Sequence, residues 1–331
     1  MGKLLITGAA GFIGTNCALS LRDDFELILI DNFSRSGSEK NAAMLKDFGL
    51  TVLNVDVADR SAVNSTLDKQ GDISAILHLA AQTSLLESLK NPIEDFDSNA
   101  LGTINLLEYF RINNPNCRGI FLSSNKVYGN LNEFDFAQNG KRYVPVGIKP
   151  AFGESLPVLP KGGYSISKSI SDAYVQEYGK RYSMPVISLR QSAVYGPYQN
   201  PRSDQGWVVH FLRELNATNV VQLRGEGLQV RDILFVDDFV ELARMILESQ
   251  PKFGDFFNVG GGVDNSLSIL ELFELYTDIT GTPVSYKTAT MDLEDQKYFV
   301  SDNQKIREYT GWLPKVSPRD GVSRILKHLS L

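Results

Sequence analysis

The segment KLLITGAAGFIG, residues 3–14, joins an apolar run to a loop with three glycines, and a helical pattern follows it. Glycine is required where such a turn is tight, where backbone approaches a pyrophosphate, and where a helix packs on a sheet. The free N–H groups at the start of the helix attract an anion. Gly8, Gly11 and Gly14 therefore predict a strand, loop and helix that hold the pyrophosphate of a dinucleotide. The alternative is a glycine-rich turn without a ligand.

Two acids follow this unit at the ends of predicted strands. Asp31 ends the second predicted strand, where a carboxylate accepts hydrogen bonds from both ribose hydroxyls and repels a 2′-phosphate. This position favours NAD over NADP, although the nearby Arg35 leaves NADP open. Asp56 ends the third predicted strand and is interpreted either as an acceptor for the adenine amino group or as a cap.

Short apolar runs alternate with helical patterns through the first half of the chain. The predicted strands are residues 4–6, 27–30, 52–55, 76–81, 120–122 and 186–189, and two of the predicted helices are residues 95–113 and 165–182. This alternation predicts an α/β fold, a doubly wound parallel sheet of the Rossmann type with helices on both faces.

Beyond Arg190 this alternation ends. Stretches rich in glycine, proline and asparagine separate predicted helices at residues 207–215, 267–280 and 321–329. We expect a smaller C-terminal α/β domain there. The predicted NAD-binding domain covers residues 1–190, with residues 233–254 returning to it, and the second domain covers residues 191–232 and 255–331.

The composition excludes several classes of protein. The chain has 331 residues, of which 43% are apolar and 22% charged, which is typical of a globular protein. Its net charge of −6 argues against nucleic-acid binding. No apolar run has the length of a membrane span, and the first residues run straight into a predicted strand, which leaves no room for a signal peptide. We expect a cytoplasmic protein without a membrane partner.

Cysteine and histidine are sparse. Cys17 and Cys117 are too few for a disulfide framework and are expected to be buried thiols. His78 lies between apolar neighbours on a predicted strand and is expected to be a core histidine. His210 and His328 have no partners at metal-ligand spacing, so we expect no metal site.

Tyr164 and Lys168 open a predicted helix, and their spacing places both side chains on one face. A phenol with a pKa of about 10 is a poor base at neutral pH. A cation at ~4 Å, with an effective dielectric constant of ~20, contributes about 4 kcal/mol, which lowers the phenol pKa by roughly three units. The pair therefore predicts a tyrosine with a pKa of about 7 that can accept and return a proton. The same spacing also occurs by chance on helix surfaces.

Ser124 ends a predicted strand, at the edge where open α/β sheets bind ligands. Its hydroxyl is predicted to hydrogen-bond the substrate oxygen that becomes a carbonyl, sharing its developing charge with Tyr164. The alternative is a serine that only forms a turn.

Taken together, the glycine loop, Asp31, the Asn-Ala-Leu-Gly-Thr segment at 99–103, Ser124, Tyr164 and Lys168 resemble the extended short-chain dehydrogenase/reductase superfamily of nucleotide-sugar epimerases and dehydratases. The resemblance implies that Ser124, Tyr164 and Lys168 are catalytic. It also implies that Asn99 supports the tyrosine and lysine through hydrogen bonds, that residues 190–197 line the nicotinamide side, and that the second domain binds a nucleotide sugar. The residues implied to bind NAD are Gly8, Gly11, Phe12, Ile13, Gly14, Asp31, Asn32, Asp56, Val57, Leu79, Ala80, Ala81, Asn99, Tyr164 and Lys168.

Residues 125 and 126 separate the reactions of this superfamily. Sugar 4,6-dehydratases carry an Asp-Glu pair at this position, and this chain has Asn125 and Lys126. Elimination needs a carboxylate base and a carboxylic acid, and an amide does not titrate. Epimerisation by transient oxidation needs only one tyrosine and one bound NAD, so epimerisation is favoured.

Further motifs resemble the CDP-paratose 2-epimerase family. They are Asn-Lys-Val-Tyr-Gly at 125–129, Asp-Gln-Gly-Trp-Val at 204–208, Gln-Val-Arg-Asp at 229–232, Asn-Ser-Leu-Ser at 265–268, Asp-Gln at 295–296 and Trp-Leu-Pro-Lys-Val-Ser at 312–317. The resemblance implies a CDP-linked hexose inverted at C2, CDP-paratose to CDP-tyvelose or a close analogue, in lipopolysaccharide O-antigen biosynthesis. The residues implied to bind substrate are Asn125, Lys126, Gln205, Gly206, Trp207, Val208, Gln229, Arg231 and Gln296.

Two residues depart from that family's pattern. Asp292 stands where relatives often carry an arginine that helps to hold the diphosphate, so either the loop runs differently here or Arg231, Lys297 or Arg202 takes over. Ser124 stands where threonine is expected.

Two other functions remain open. A UDP-sugar 4-epimerase would use the same tyrosine and NAD, and a non-catalytic NAD-binding regulator would need only the glycine loop and Asp31. The resemblance also implies a homo-oligomer, a dimer or tetramer, that pairs through the predicted helices 95–113 and 165–182.

Overall fold

The computed structural model describes residues 2–202, 204–218, 220–289 and 296–330. Its strands are β1 (Lys3–Thr7), β2 (Glu26–Asp31), β3 (Val52–Asn54), β4 (Ala75–His78), β5 (Arg118–Ser124), β6 (Phe136–Asn139), β7 (Arg142–Pro145), β8 (Val186–Gln191), β9 (Ala193–Tyr195), β10 (Val220–Arg224), β11 (Val230–Phe235), β12 (Asp255–Val259), β13 (Ser266–Ser268), β14 (Ser285–Ala289) and β15 (Tyr298–Phe299).

The α-helices alternate with these strands through the first half of the chain. They are α1 (Phe12–Leu21), α2 (Ser38–Asp47), α3 (Arg60–Leu67), α4 (Leu85–Lys90), α5 (Pro92–Phe96), α6 (Gly102–Asn113), α7 (Gly163–Tyr182), α8 (Trp207–Thr218), α9 (Val236–Glu248), α10 (Ile269–Thr280), α11 (Gln304–Thr310) and α12 (Pro318–Leu329). Within the described ranges, none of the helices combines the length and the apolar character needed to cross a bilayer.

The large sheet has seven parallel strands in the order β3-β2-β1-β4-β5-β8-β12. The chain order reverses between β1 and β4, and a crevice opens at the carboxyl ends of the strands at such a point. The predicted Rossmann-type parallel sheet is confirmed.

The apolar runs of the strands are continuous because both faces of the sheet are covered. Along β1, Leu4 and Ile6 pack into a core with α1 and α9, and Leu5 packs into a second core with α6 and α7. All three side chains are fully buried. The glycine loop therefore follows directly after a strand whose apolar side chains are fully buried.

Two predicted helices differ from the observed ones. The predicted helix at 95–113 is interrupted by a turn of π-helix, Asp97–Leu101, which separates α5 from α6. The predicted helix at 267–280 begins two residues late, because Ser266–Ser268 pairs with β11 as a strand. Ser268 then caps α10, in a reciprocal arrangement with Glu271.

Beyond the large sheet, α8, α10 and α12 enclose a third apolar core with β10 and β11. Two short sheets support it, β10 with β14, and β11 with β9, β13 and β15. The β6–β7 hairpin belongs to the segment 130–163, for which the sequence analysis predicts no strand.

The predicted division before residue 255 needs a correction. β12 pairs in parallel with β8, from Asp255 opposite Ile187 to Val259 opposite Gln191, and is the edge strand of the large sheet. Trp312 is also buried in the core beneath that sheet. The helical pattern of 233–249 and the strand after it therefore both return to the large sheet.

Candidate active site

The backbone of the glycine loop leaves no room for a side chain at Gly8 or Gly14. Gly8 has a φ of 66°, and a Cβ there would lie 2.7 Å from the Ala80 nitrogen. A Cβ at Gly14 would lie 2.2 Å from the Gly8 oxygen. The N-cap residue of α1 is Gly11, and no side chain caps the start of this helix. The first N–H groups of α1 are therefore available to an anion.

A cleft of about 260 Å³ opens beside this loop. Its lining includes every residue implied to bind NAD except Asn99. It also includes Gln191, which belongs to the segment implied to line the nicotinamide side, and Arg35, Thr83, Gln199 and Arg202, which the sequence analysis did not assign to the cofactor.

Asp31 ties the glycine loop to the end of β2. Its carboxylate accepts hydrogen bonds from the Ala10 nitrogen at 3.1 Å and the Phe33 nitrogen at 2.8 Å. Burial raises the pKa of Asp31, and the backbone N–H groups oppose the rise. Each carboxylate oxygen has a second lone pair, so the side chain can still accept from ribose hydroxyls.

Asp56 lies next to this acid at the end of β3. It accepts from Asn32 Nδ2 at 3.0 Å and from the Ala58 nitrogen at 2.8 Å. The cap of α3 is Asp59, whose carboxylate accepts from the Ser61 and Ala62 nitrogens. Asp56 therefore turns the chain towards the cleft without capping that helix.

These features fit a dinucleotide. The two close approaches at Gly8 and Gly14 leave space that a Cβ would fill, the start of α1 attracts the pyrophosphate, and the carboxylate of Asp31 is an acceptor for ribose hydroxyls.

Tyr164 and Lys168 line the cleft, and Ser124 lies beside Tyr164. Ser124 ends β5, and its hydroxyl shares a hydrogen bond with Tyr164, near the start of α7. One turn further on, Lys168 Nζ donates to the carbonyl oxygen of Leu122. The strand end and the helix start thus bring the three predicted catalytic side chains together.

The ammonium of Lys168 is deeply buried. Burial lowers the pKa of Lys168 to about 8, and the negative charges of Asp172 and Asp95 oppose this fall. Asp172 also forms a buried ion pair with Arg190 at 2.7 Å. Its charge is therefore shared between two cations.

The prediction that Lys168 lowers the pKa of Tyr164 to about 7 is wrong for the chain by itself. Burial raises the pKa of Tyr164, and Asp95 adds to the rise. The hydrogen bond from Ser124 and the positive charge of Arg35 oppose it. Lys168, whose ammonium donates to the Leu122 oxygen, is not among the groups that set this pKa.

A hydrogen-bonded network supports α7 from behind. Asp95 accepts from Ser167 Oγ at 2.6 Å and from Gln82 Nε2 at 2.9 Å. Asn99 Nδ2 donates to Asp95 Oδ1 at 3.2 Å and lies 3.0 Å from Ser167 Oγ. Asn99 is thus connected to the residue before Lys168 and does not line the cleft. The sequence analysis missed Asp95, for which the only signal is an acid four residues before Asn99.

A second cavity, of about 440 Å³, meets the cleft at Tyr164. Its lining includes eight residues implied to bind substrate: Asn125, Lys126, Gln205, Gly206, Trp207, Val208, Gln229 and Arg231. The cavity also has lining residues that the sequence analysis did not assign to the substrate, among them Glu214, Gln222 and Arg224.

Gln296 lies behind the cavity wall. Its Nε2 donates to the Gly129 oxygen at 2.6 Å, and its Oε1 accepts from Asn125 Nδ2 at 3.1 Å. It therefore orients Asn125 and is fully buried. Asp292 and Asp295 lie outside the described residues, so their expected parts receive no structural account.

Gln199 and Gln205 line both the cleft and the second cavity. Asp204 accepts from Ser84 Oγ at 2.5 Å and from the Leu86 nitrogen at 3.1 Å. Gln205 accepts from Arg35, which also donates to Thr83 Oγ1 at 2.5 Å. These contacts fix the loop over the junction between the cavities.

His78 is the core histidine that the sequence predicts. Its ring nitrogens lie 2.7 Å from Thr7 Oγ1 and 3.2 Å from Thr103 Oγ1. Burial lowers the pKa of His78 to about 3, so the ring is neutral at physiological pH.

Comparison with known proteins identifies relatives that match most of the chain. Residues 4–260 match the model of the NAD dependent epimerase/dehydratase family. A CDP-paratose 2-epimerase of Salmonella typhi is 36% identical, with 98% of each chain covered. A putative UDP-glucose 4-epimerase of Methanocaldococcus jannaschii is 28% identical, with 98% of this chain and 97% of the relative covered.

Solved structures agree with this fold over nearly the full length. The crystal structure of a UDP-glucose 4-epimerase from Thermotoga maritima with UDP-glucose has a TM-score of 0.84 at 27% identity, and covers 99% of this chain and 98% of its own. A Thermus thermophilus UDP-glucose 4-epimerase in complex with NAD has a TM-score of 0.81 at 27% identity, with 99% of both chains covered.

Proposed function

Since the chain belongs to the NAD dependent epimerase/dehydratase family, we propose that it inverts C2 of a CDP-linked hexose, CDP-paratose to CDP-tyvelose or a close analogue. Inversion at C2 and a CDP-linked substrate are supported by the 36% identity, over 98% of both chains, to a CDP-paratose 2-epimerase. Its cofactor is NAD, and its substrate is a nucleotide sugar.

The glycine loop and Asp31 would hold the cofactor, with the N–H groups of α1 against its pyrophosphate. When bound, NAD would supply the means to take up a hydride from C2 and to return it, and its oxidised form would add a positive charge to the cleft. The second cavity, on the other side of Tyr164, would hold the nucleotide sugar.

Tyr164 removes the proton from the hydroxyl at C2 and later returns it. Ser124 shares a hydrogen bond with Tyr164 and stabilises the same substrate oxygen as it becomes a carbonyl. Lys168, on α7, supplies a positive charge, and the negative charges of Asp172 and Asp95 favour its protonated form. The 2-keto sugar must turn its other face before it is reduced.

The residues next to Ser124 support epimerisation over dehydration. Asn125 lines the cavity, and its amide is held by Gln296 at 3.1 Å. Neither Asn125 nor Lys126 is a carboxylic acid, and elimination across C5 and C6 needs such groups. A single proton-transferring tyrosine is sufficient for oxidation and reduction at one carbon.

A UDP-sugar 4-epimerase is the second candidate, because UDP-glucose 4-epimerases are 27–28% identical over nearly the whole chain. A non-catalytic NAD-binding regulator has less support, since it would not need the contact between Ser124 and Tyr164. A product assay separates the three. We expect CDP-paratose to give CDP-tyvelose by NMR, and UDP-glucose to give no UDP-galactose. UDP-galactose formation would favour the second candidate, and no reaction with either sugar would favour the third.

We also propose that a second copy of this chain covers the outer face of α4, α5 and α7. Leu89 and Ile93 are 66% and 76% exposed there, and Phe96, Ile166 and Tyr174 are exposed beside them. Monomers rarely leave such a group of apolar side chains in water. Sedimentation should show a dimer or tetramer that Ile93→Glu converts to monomer, and a wild-type monomer would contradict this assembly.

A further inference from the structure

One face of α8 forms a wall of the second cavity. Trp207, His210, Phe211 and Glu214 all line it, at the spacing of a single helix face. With a rise of 1.5 Å per residue, Glu214 lies about 10 Å beyond Trp207 along the helix axis. The cavity thus extends from the reactive end at Tyr164 to a distal end at Glu214.

Glu214 carries an acceptor without a donor. The side chain of Glu214 is 40% exposed, but its Oε2 atom is buried and has no hydrogen-bond partner among the described residues, while its Oε1 lies 3.5 Å from His210 Nε2. Trp207 Nε1 is likewise buried without a partner. Buried polar atoms are almost always hydrogen-bonded in native proteins, so these two point to a bound ligand.

The distal end also receives residues from β10. Gln222 and Arg224 line the cavity there, on the same strand face two residues apart. A glutamine amide offers both a donor and an acceptor and can adapt to different bases. An ionised carboxylate only accepts, so Glu214 is the group that can exclude a ligand.

We propose that Glu214 distinguishes the pyrimidine base and selects cytosine, an inference that rests on the proposed binding of a nucleotide sugar in this cavity. Cytosine carries an amino group at C4, and carboxylates accept hydrogen bonds from that group. Uracil and thymine carry an oxygen at C4, and their single N–H is flanked by two carbonyl oxygens. A carboxylate facing this edge attracts the first base and repels the other two.

The base preference is measured by calorimetry, with CDP and UDP titrated into the NAD-loaded protein. We expect wild-type protein to bind CDP at least about tenfold more tightly than UDP, the order expected when a wrong base leaves polar groups unpaired. In Glu214→Gln the ratio should fall to within about threefold, because the amide can turn its N–H groups to a carbonyl. Glu214→Asp keeps the carboxylate and should keep a CDP preference.

Glu248→Gln is the matched control, because this exposed glutamate lies on α9, away from the cavity. It should leave both affinities unchanged. The ratio of the two affinities cancels any effect of net charge on diphosphate binding. Equal affinities in the wild type, or a Glu214→Gln protein in which both change by the same factor, would overturn the assignment.

Failure of this inference and failure of the proposed function give different results. Inversion at C2 without a base preference removes the role of Glu214 and leaves the proposed reaction. A CDP preference lost in Glu214→Gln, with no inversion at C2 of any CDP-sugar, keeps the role of Glu214 and removes the proposed reaction.

Discussion

The glycine-loop cleft and the α8 cavity meet at Tyr164 but are built in opposite ways. In the cleft, backbone atoms set the shape, and a Cβ at Gly14 would lie 2.2 Å from the Gly8 oxygen. In the cavity, side chains set the shape, and Trp207 Nε1 and Glu214 Oε2 are buried without a hydrogen-bond partner among the described residues. Buried polar atoms without a partner also border the cleft, among them Ser123 Oγ and Gln191 Oε1, so the two regions differ in what sets their shape.

The difference separates what members of a family share from what distinguishes them. A cleft shaped by backbone accepts the same cofactor whatever the surface residues are. A cavity shaped by side chains changes its ligand when one residue changes. The choice of nucleotide and sugar should therefore depend on the α8 wall and on the residues after Ser124.

The largest effect is expected where backbone decides the shape. Gly14→Ala forces the loop apart, because the new methyl group meets the Gly8 oxygen and the Ala9 Cα. NAD affinity should fall by more than about 100-fold, or nearly 3 kcal/mol. Gly153→Ala is the control, since its Cβ would come no closer than 3.9 Å to Asp302. NAD released from the purified proteins measures both, and a Gly14→Ala protein that retains NAD would remove the backbone explanation.

Tyr164 lies where the cleft meets the cavity, and its substitution should lower turnover without changing ligand binding. Tyr164→Phe removes the hydroxyl that shares a hydrogen bond with Ser124, so turnover should fall by about 10²–10⁴. NAD content and CDP affinity should stay at their wild-type values. Unchanged turnover would exclude this tyrosine from proton transfer.

The pH dependence of turnover tests the protonation states of Tyr164 and Lys168. Burial raises the pKa of Tyr164, so the phenol is protonated at neutral pH and must lose its proton before it can accept one. Turnover should therefore rise with pH, and the rise should weaken above the pKa of Lys168, about 8, where the ammonium loses its charge. Lys168→Arg keeps its charge above pH 8, so the rise should continue to higher pH. Turnover that stays flat between pH 6.5 and 9, while NAD stays bound, would contradict this account.

The smallest effect is expected at the loop that joins the two regions. Asp204→Ala leaves the Ser84 hydroxyl and the Leu86 N–H without their acceptor, at a cost of about 1–3 kcal/mol. The loop should open more often, and NAD should dissociate about tenfold faster in a stopped-flow exchange experiment. Asp264→Ala, at an exposed site away from this loop, is the control. An unchanged NAD dissociation rate would show that the loop does not retain the cofactor.

Much of the cleft could be predicted because its determinants are local in sequence. Gly8, Gly14 and Asp31 belong to one strand, loop, helix and strand, and short apolar runs define the sheet. Ser124 could be predicted from its place at the end of a strand, and the fold places it beside Tyr164.

The missed features depend on packing between distant segments. The pKa of Tyr164 is set by burial and by Asp95, Ser124 and Arg35, from three other parts of the chain. Gln296 faces Asn125 from across the fold, so its position behind the wall could not be derived from its motif. Glu214 shows a helix-face spacing with Trp207, but only the approach of β10 shows that this face borders a cavity.

The central claim, that one hydride leaves C2 and returns to it, is tested most directly with CDP-paratose deuterated at C2. Converted in ordinary water by the NAD-loaded enzyme, it should give CDP-tyvelose that keeps the deuterium at C2, as measured by mass spectrometry and NMR. Replacement of that deuterium by solvent hydrogen would contradict the account and indicate inversion through an enol.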